Sequence, residues 1–535
     1  MDISNVDILI IGAGLSGINA GYRIQKELPH KSFAILEGRS EVGGTWSFWK
    51  YPGIRSDSTM RVFGLPWYPW PSNVVMADGP VIRQYLEDAA TSQGLDRKIH
   101  LNHKVTCCDW SSAENCWTLS INLLSPTDGT IINQKEIKAN WIINAAGYYS
   151  YEKPLPVSIP GIENFSGRVI HPQFWDSDGK VDFSNKRVVI IGSGATAITL
   201  LPAIAKTAAK VTLLQRSPSY VFSLDSQDHN LDFWARFLPD SWAKTFHWWQ
   251  CLIMESFFRV LLSNLLVGKR LVQAEMRKQL PPGFDLETHF NPSYPPFEQR
   301  LCFCPDGDFF KALSQPNTEI VTGTISTVTS SGIDLNPGAK SSSSTGGPNK
   351  GGVNSIPCDM IITATGLYVD IISSLQISVS TLPNDPTYSP ERFTLTPEIL
   401  SSLQTWNGTM IESLPNQAKI VGYTAGTWTP GANARTSQII NVIRHMDLVG
   451  ANRVFPVVEK EKEMEKKPVM PNSSSYLVDA RSRLPIAAGR GPWRNAQSVW
   501  EDWAGIWRTW VPVRVARLFG VRMGECRVYR RSERE

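Results

Sequence analysis

The sequence predicts an α/β protein with two Rossmann-like dinucleotide-binding domains and a helical insert. Three observations predict it. The chain opens on a strand, a glycine-rich loop, a helix and a second strand; the same pattern restarts near Lys186; and a helical, aromatic-rich stretch follows the second copy. At 535 residues the chain exceeds what one hydrophobic core holds, so at least two domains are expected.

Residues 6–11 are an apolar run ending at Gly12, which reads as a strand of a parallel sheet buried on both faces. A helix is expected from about residue 15 to 27, and residues 32–37 form a second strand ending in Glu37. In the second copy, residues 186–191 are the strand, Gly192 opens the turn, a helix runs to about residue 207, and residues 210–215 are the next strand. Residues 232–280 read as helical, with aromatic pairs such as Trp248-Trp249 and Phe257-Phe258. Residues 341–352 have the composition of a flexible loop at a hairpin tip. Residues 359–366 return as a buried strand into a glycine turn, and residues 459–467 are a mixed charge run expected on a solvated linker or helix face. The expected organisation is therefore a first domain in two parts, 1–150 and 358–457, a second domain at 151–357 with its insert at about 232–280, and a C-terminal segment at 458–535.

Composition excludes several function classes. A net charge of +4, without RNA-binding or zinc-finger signatures, gives no case for a nucleic-acid partner. The eight cysteines contain no C-x-x-C, so no metal site is expected, and free thiols suit a reducing compartment. The N-terminus lacks the basic and apolar regions of a signal peptide, and the apolar stretch 251–267 is short and carries Glu255 and Arg259, so a cytoplasmic protein is expected. Nineteen tryptophans suit an aromatic pocket or core packing. Trp500, Trp503, Trp507 and Trp510 recur at helical spacing before an arginine-rich tail; such a stripe usually packs on the protein body, with a membrane-surface helix as the alternative.

The first loop reads Gly12-Ala-Gly14-Leu-Ser16-Gly17. Its glycines permit a tight turn, backbone approach to a pyrophosphate and close helix–strand packing, and the helix N-terminus favours phosphate. Glu37 lies twenty residues beyond Gly17, where a carboxylate accepts hydrogen bonds from ribose hydroxyls. An acid there suits a ribose without a 2′-phosphate, as in FAD. Gly43-Gly44-Thr45-Trp46 follows and resembles the isoalloxazine-lining segment of two-dinucleotide flavoproteins. The second loop reads Gly192-Ser193-Gly194-Ala195-Thr196-Ala197, and its second strand ends in Gln215-Arg216 instead of an acid. A guanidinium there binds a 2′-phosphate that a carboxylate would repel, so this loop should hold NADPH.

Between the loops, Phe165, Gly167, His171, Trp175 and Asp176 fit the pattern F-x-G-x-x-x-H-x-x-x-W-[PD]. Over nearly its whole length the chain resembles class B flavoprotein monooxygenases of the Baeyer–Villiger type. Residues 51–58 (Y-P-G-I-R-S-D-S), the second loop, Gln299-Arg300-Leu301-Cys302 and Gly491-Pro492-Trp493-Arg494 look most like the ethionamide-activating subgroup.

The resemblance implies that NADPH reduces FAD, that O2 adds to give a C4a-peroxyflavin, and that this attacks a hydrophobic ketone to yield an ester or lactone. S- or N-oxygenation, or a flavoprotein that makes no oxygenated product, are the alternatives. The resemblance also implies that Arg300 is the active-site cation, that Asp57 positions it, and that Arg55, Ser56 and Val105 belong to the flavin's surroundings. His171 is implied to couple domain movement to cofactor handling. Gln299 departs from a lysine that another subgroup uses on the 2′-phosphate, which puts more weight on Arg216.

Overall fold

The computed structural model describes residues 3–175, 181–299, 301–343, 352–372, 374–380, 392–458, 464–489, 491–502 and 526–530. Two sheets organise them. In the first, nine-stranded sheet, Asn5–Ile11 lies parallel to Phe33–Leu36 on one side and to Ile131–Asn144 on the other. Ile8 and Ile10 face the helices Leu15–Glu27 and Trp428–Val449, while Leu9 and Ile11 face an opposite core that holds Trp110 and Trp117. Burial on both faces is why this strand is apolar without alternation. The sheet widens through an antiparallel meander of His103–Ser111, Cys116–Leu124 and Ile131–Asn144, beyond which Gln376–Ser380 pairs in parallel with His103–Ser111.

The second sheet runs in the order Lys340–Ser343, Thr318–Thr322, Lys210–Gln215, Arg187–Ile191, Met360–Thr363, Arg168–Ile170. All its pairings are parallel except that of the edge strand Lys340–Ser343. The helix Ala195–Ile204 follows the second glycine loop. The helices Asn230–Ala235, Asp240–Leu262 and Leu265–Gln279 form the insert expected from the sequence.

Two expectations change. Met360–Thr363 does not return to the first sheet; it pairs with Arg187–Ile191, so the second sheet extends past residue 357. On its other side lies the edge strand Arg168–Ile170, within the segment that carries Phe165 to Trp175. The expected loop at 341–352 begins as strand: Ser341 and Ser342 are buried against Thr318–Thr322, and Ser342 Oγ lies 3.1 Å from His289 Nε2. Residues 344–351 of that loop lie outside the described residues, as do 459–463 of the charge run, Trp503, Trp507 and Trp510. Trp500 is described, and its indole N–H donates to Ser256 Oγ at 2.8 Å. Part of the basic tail, Cys526–Arg530, pairs antiparallel with Ala451–Pro456. Among the described residues no single helix is long and apolar enough to cross a membrane.

Candidate active site

The two glycine loops open into one continuous cavity of about 1280 Å³. That exceeds the ~300–1,000 Å³ of an ordinary single-ligand pocket. Gly12, Gly14, Ser16, Glu37, Gly44, Thr45, Trp46, Arg55, Ser56, Asp57 and Val105 line one end, and Gly192, Ser193, Gly194, Ala195, Thr196 and Arg216 line the other.

At the first end, the loop is held by the acid at the end of Phe33–Leu36. Glu37 is buried; its Oε2 accepts from Ala13 N at 2.8 Å and its Oε1 from Arg39 N at 3.1 Å. The Gly43 N–H donates to Ala13 O at 3.0 Å, which draws the Gly44–Trp46 segment against the same loop. Gly17 lies outside the cavity lining and serves packing: a Cβ there would sit 1.9 Å from Gly12 O. Ser16 Oγ accepts from Trp428 Nε1 at 2.9 Å, and the Trp428 ring stacks on Tyr148 at 5.3 Å. Trp428 begins the helix Trp428–Val449, so a second helix N-terminus opens on this end of the cavity, with Gly426 and Trp428 in its wall. Phe63 stands edge-on to Trp46 at 5.7 Å. The tryptophans divide between both expected roles: Trp46, Trp49 and Trp428 line the cavity, whereas Trp110, Trp117 and Trp493 are fully buried core.

Residues 51–58 form the seam between the sheets. Tyr51 packs into the core of the second sheet, and Arg55 makes a two-point ion pair with Asp308, at 2.7 and 3.1 Å. Asp308 opens the helix Asp308–Leu313. Ser56 is buried, and its Oγ accepts from Ser58 N at 3.1 Å, which fixes the turn that presents Asp57 to the cavity.

At the second end, Arg216 is exposed on the cavity wall immediately after Lys210–Gln215. Gln215 turns the other way, as strand alternation requires. Its amide donates to His289 O at 2.8 Å and Thr322 Oγ1 at 2.9 Å, so it braces the sheet and is absent from the cavity lining, against expectation. Ala197 is likewise a core residue. Ser193 Oγ donates to Ser217 O at 3.0 Å and ties the second loop to the Arg216 turn.

The residues between the loops separate by role. Phe165 and Trp175 are buried in the core of the second unit. A Cβ at Gly167 would lie 2.3 Å from Asp359 O, so only glycine lets the edge strand meet Met360–Thr363. Among the described ones, only His171 lines the cavity. Its Nδ1 accepts from Gln173 N at 3.2 Å, which fixes the ring proton on Nε2, and that buried nitrogen has no partner among the described residues. Burial lowers the His171 pKa, so the ring is neutral at pH 7. Asp176 and Arg300 lie outside the described residues; Gln299 and Cys302, on either side of Arg300 in sequence, both line the cavity.

Sequence reasoning missed Arg39 and the start of Trp428–Val449. Arg39 donates to Gly44 O at 3.0 Å and Ser47 Oγ at 2.7 Å, and its guanidinium lies over the Tyr151 ring at 5.2 Å. Its place two residues after Glu37 was the available signal.

A family model described as flavin-binding monooxygenase-like matches residues 6–287. The chain is 35% identical over 490 residues to the FAD-containing monooxygenase EthA of Mycolicibacterium smegmatis, covering 91% of this chain and 92% of that protein. It is 35% identical over 493 residues to EthA of Mycobacterium tuberculosis, covering 92% and 93%. Among solved structures, an oxidized steroid monooxygenase bound to NADP superposes with a TM-score of 0.70 at 19% identity, covering 98% of this chain and all of that one. OTEMO in complex with FAD and NADP gives a TM-score of 0.67 at 18% identity, covering 98% and 99%.

Proposed function

The chain belongs to the flavin-binding monooxygenase-like family, and on that premise we propose that it inserts one atom of O2 into a hydrophobic ketone to give an ester or lactone. It is an FAD-containing, NADPH-consuming monooxygenase of the class that includes EthA. The single observation carrying the reading is the continuity of the cavity: both loops, His171 and Asp57 open into one space.

The residues fit the two cofactors. Gly12, Gly14 and the N-terminus of Leu15–Glu27 suit a pyrophosphate, and Glu37 beside them suits unphosphorylated ribose hydroxyls. Thr45, Trp46 and the start of Trp428–Val449 suit the flavin ring, and Arg216 beside the second loop suits a 2′-phosphate. Bound FAD, once reduced by NADPH, supplies the activated oxygen. The protein orients that chemistry, keeps water out and stabilises charge. We assign Arg300 as the fixed cation facing the oxyanion that develops on the substrate, and Asp57 as its positioning carboxylate. The His171 Nε2–H is a donor for cofactor handling; a neutral ring with a lowered pKa is poorly suited to serve as the cation.

Arg216→Ala is expected to raise the KM for NADPH by about 10- to 100-fold, the worth of a charge-assisted phosphate contact, and to leave the KM for NADH nearly unchanged. Steady-state kinetics with both nucleotides check this, and parallel shifts would remove Arg216 from phosphate recognition. The reaction itself is tested by mass spectrometry of products from a panel of ketones and sulfides. Esters or lactones support the proposal; sulfoxides alone would move the function to heteroatom oxygenation.

A further inference from the structure

The helix Asp240–Leu262 carries apolar side chains on both sides: Ala243, Leu252 and Leu262 are buried against the protein, and a second apolar edge is exposed. Its inner side also makes polar bonds. His247 Nε2 lies 2.7 Å from Asp228 Oδ2, Glu255 accepts from Thr427 N at 3.0 Å, and Arg259 donates to Gln497 O at 2.7 Å. Its outer edge carries Trp242, Phe246, Ile253, Phe257 and Val260, all exposed, with Val260 at 76%. These recur at helical spacing along one stripe of about 27 Å, at 1.5 Å per residue.

The stripe continues at both ends. Phe237 of the preceding turn is 71% exposed and Leu266 of the following helix is 68% exposed. Ring contacts knit the first part into one patch: Phe233 lies 5.3 Å from Phe237, and Trp234 lies 5.8 Å from Phe246. Of the twenty-one large exposed apolar residues among the described ones, twelve fall between residues 233 and 271, so this is a local surface and not a scatter. Asp240–Leu262 and the following helix are together long and apolar enough for a membrane span, yet they bend by 108°. Such a pair can lie in an interface but cannot cross it straight.

Charge selects the occupant. The stretch 230–279 holds seven Lys and Arg against four Asp and Glu, so it carries three of the four net positive charges of the whole chain. Arg236, Arg270, Arg277 and Lys278 of this stretch are exposed. Exposed aromatic and aliphatic side chains in a stretch of net positive charge match the headgroup region of an anionic bilayer.

We propose that the helical insert docks this enzyme on an anionic lipid surface, with the outer face of Asp240–Leu262 seated in the interface. The docking serves the cavity: Glu255, on the inner edge of the same helix, binds Thr427, next to the cavity-lining Gly426. A membrane-dissolved apolar substrate would thus reach the protein one helix away from the cavity wall.

The test is flotation of the full-length, FAD-loaded enzyme with phosphatidylcholine vesicles that contain phosphatidylglycerol. Wild-type protein should float with them. The surface variant Ile253→Ser/Phe257→Ser should float at least about tenfold less, with unchanged FAD content and NADPH oxidation. Arg236→Glu/Arg270→Glu should weaken binding to these vesicles and remove its salt dependence. The proposal is overturned if wild-type protein stays in the dense fraction, or if Ile253→Ser/Phe257→Ser floats as well as wild type. It is equally overturned if light scattering shows a dimer that Ile253→Ser/Phe257→Ser dissociates while neither protein binds vesicles, since a second copy would then cover the face.

Discussion

Arg300→Ala is expected to lower ester formation by about 10²–10³-fold, the range for losing one preorganised charge stabiliser of an oxyanion. NADPH oxidation should continue, with the electrons released as hydrogen peroxide. Oxygen transfer to a carbonyl places negative charge on the former carbonyl oxygen, and a fixed cation stabilises that charge strongly in a site that excludes water. Asp57 faces that cavity from the turn fixed by Ser56, and Gln299 and Cys302 line it on either side of residue 300 in sequence. Arg300→Lys should recover part of the product, because it restores the charge but not the planar fork. Product quantified by mass spectrometry against NADPH consumed by absorbance gives the coupling ratio. An equal fall in both quantities would instead assign Arg300 to NADPH binding or folding.

Asp502→Ala should be the most destabilising single substitution in the described C-terminal segment. Asp502 and Arg435 are buried and paired, and Tyr423 OH donates to Asp502 Oδ2 at 2.7 Å. Burial and the Asp502 carboxylate both raise the Tyr423 pKa, which keeps that hydroxyl a donor. Arg435 also donates to Asn495 Oδ1 at 3.1 Å and to Ala496 O at 2.8 Å, so one guanidinium fastens the residues after Trp493 to the helix Trp428–Val449. Removing the acid strands a buried cation, at a cost of about 3–5 kcal/mol. Because the start of that helix borders the cavity, FAD should be released at a lower temperature, read from the rise of free flavin fluorescence. Asp502→Asn keeps hydrogen-bonding capacity and should lose less. An unchanged release temperature for Asp502→Ala would mean that the pair does not hold this wall.

What was legible in the sequence is what is local. Gly12 to Gly17, the acid at residue 37 and the restart at Lys186 each spend their whole physics within a βαβ unit. Gln215 and Arg216 show the limit of such reading. Both were assigned to the cofactor, yet the two-residue period of a strand turns neighbouring side chains to opposite sides, and only Arg216 reaches the cavity. Met360–Thr363 is a short strand of three apolar residues and a threonine, all buried, and its partner is chosen by contacts about 170 residues away in sequence. The seam between Arg55 and Asp308 joins residues 253 apart and leaves no pattern in either neighbourhood. The helix Trp428–Val449 starts with Trp, Thr, Pro and Gly and contains Asn, Thr and Ser, which are weak helix formers; packing against Leu15–Glu27 through Arg23, Asn433 and Ser437 sustains it. The meander strand His103–Ser111 shifts register between Val105 and Cys107, which blurs the alternation that would have announced it.

We propose that one cavity couples NADPH and FAD to oxygen transfer onto a ketone. The most direct measurement supplies the FAD-loaded enzyme with NADPH, isotope-labelled O2 and a panel of hydrophobic ketones beside matched sulfides, and follows the label by mass spectrometry. An ester or lactone carrying one labelled oxygen atom, formed in step with NADPH oxidation, is the predicted result. Label found only in hydrogen peroxide, or only in sulfoxides, would contradict it.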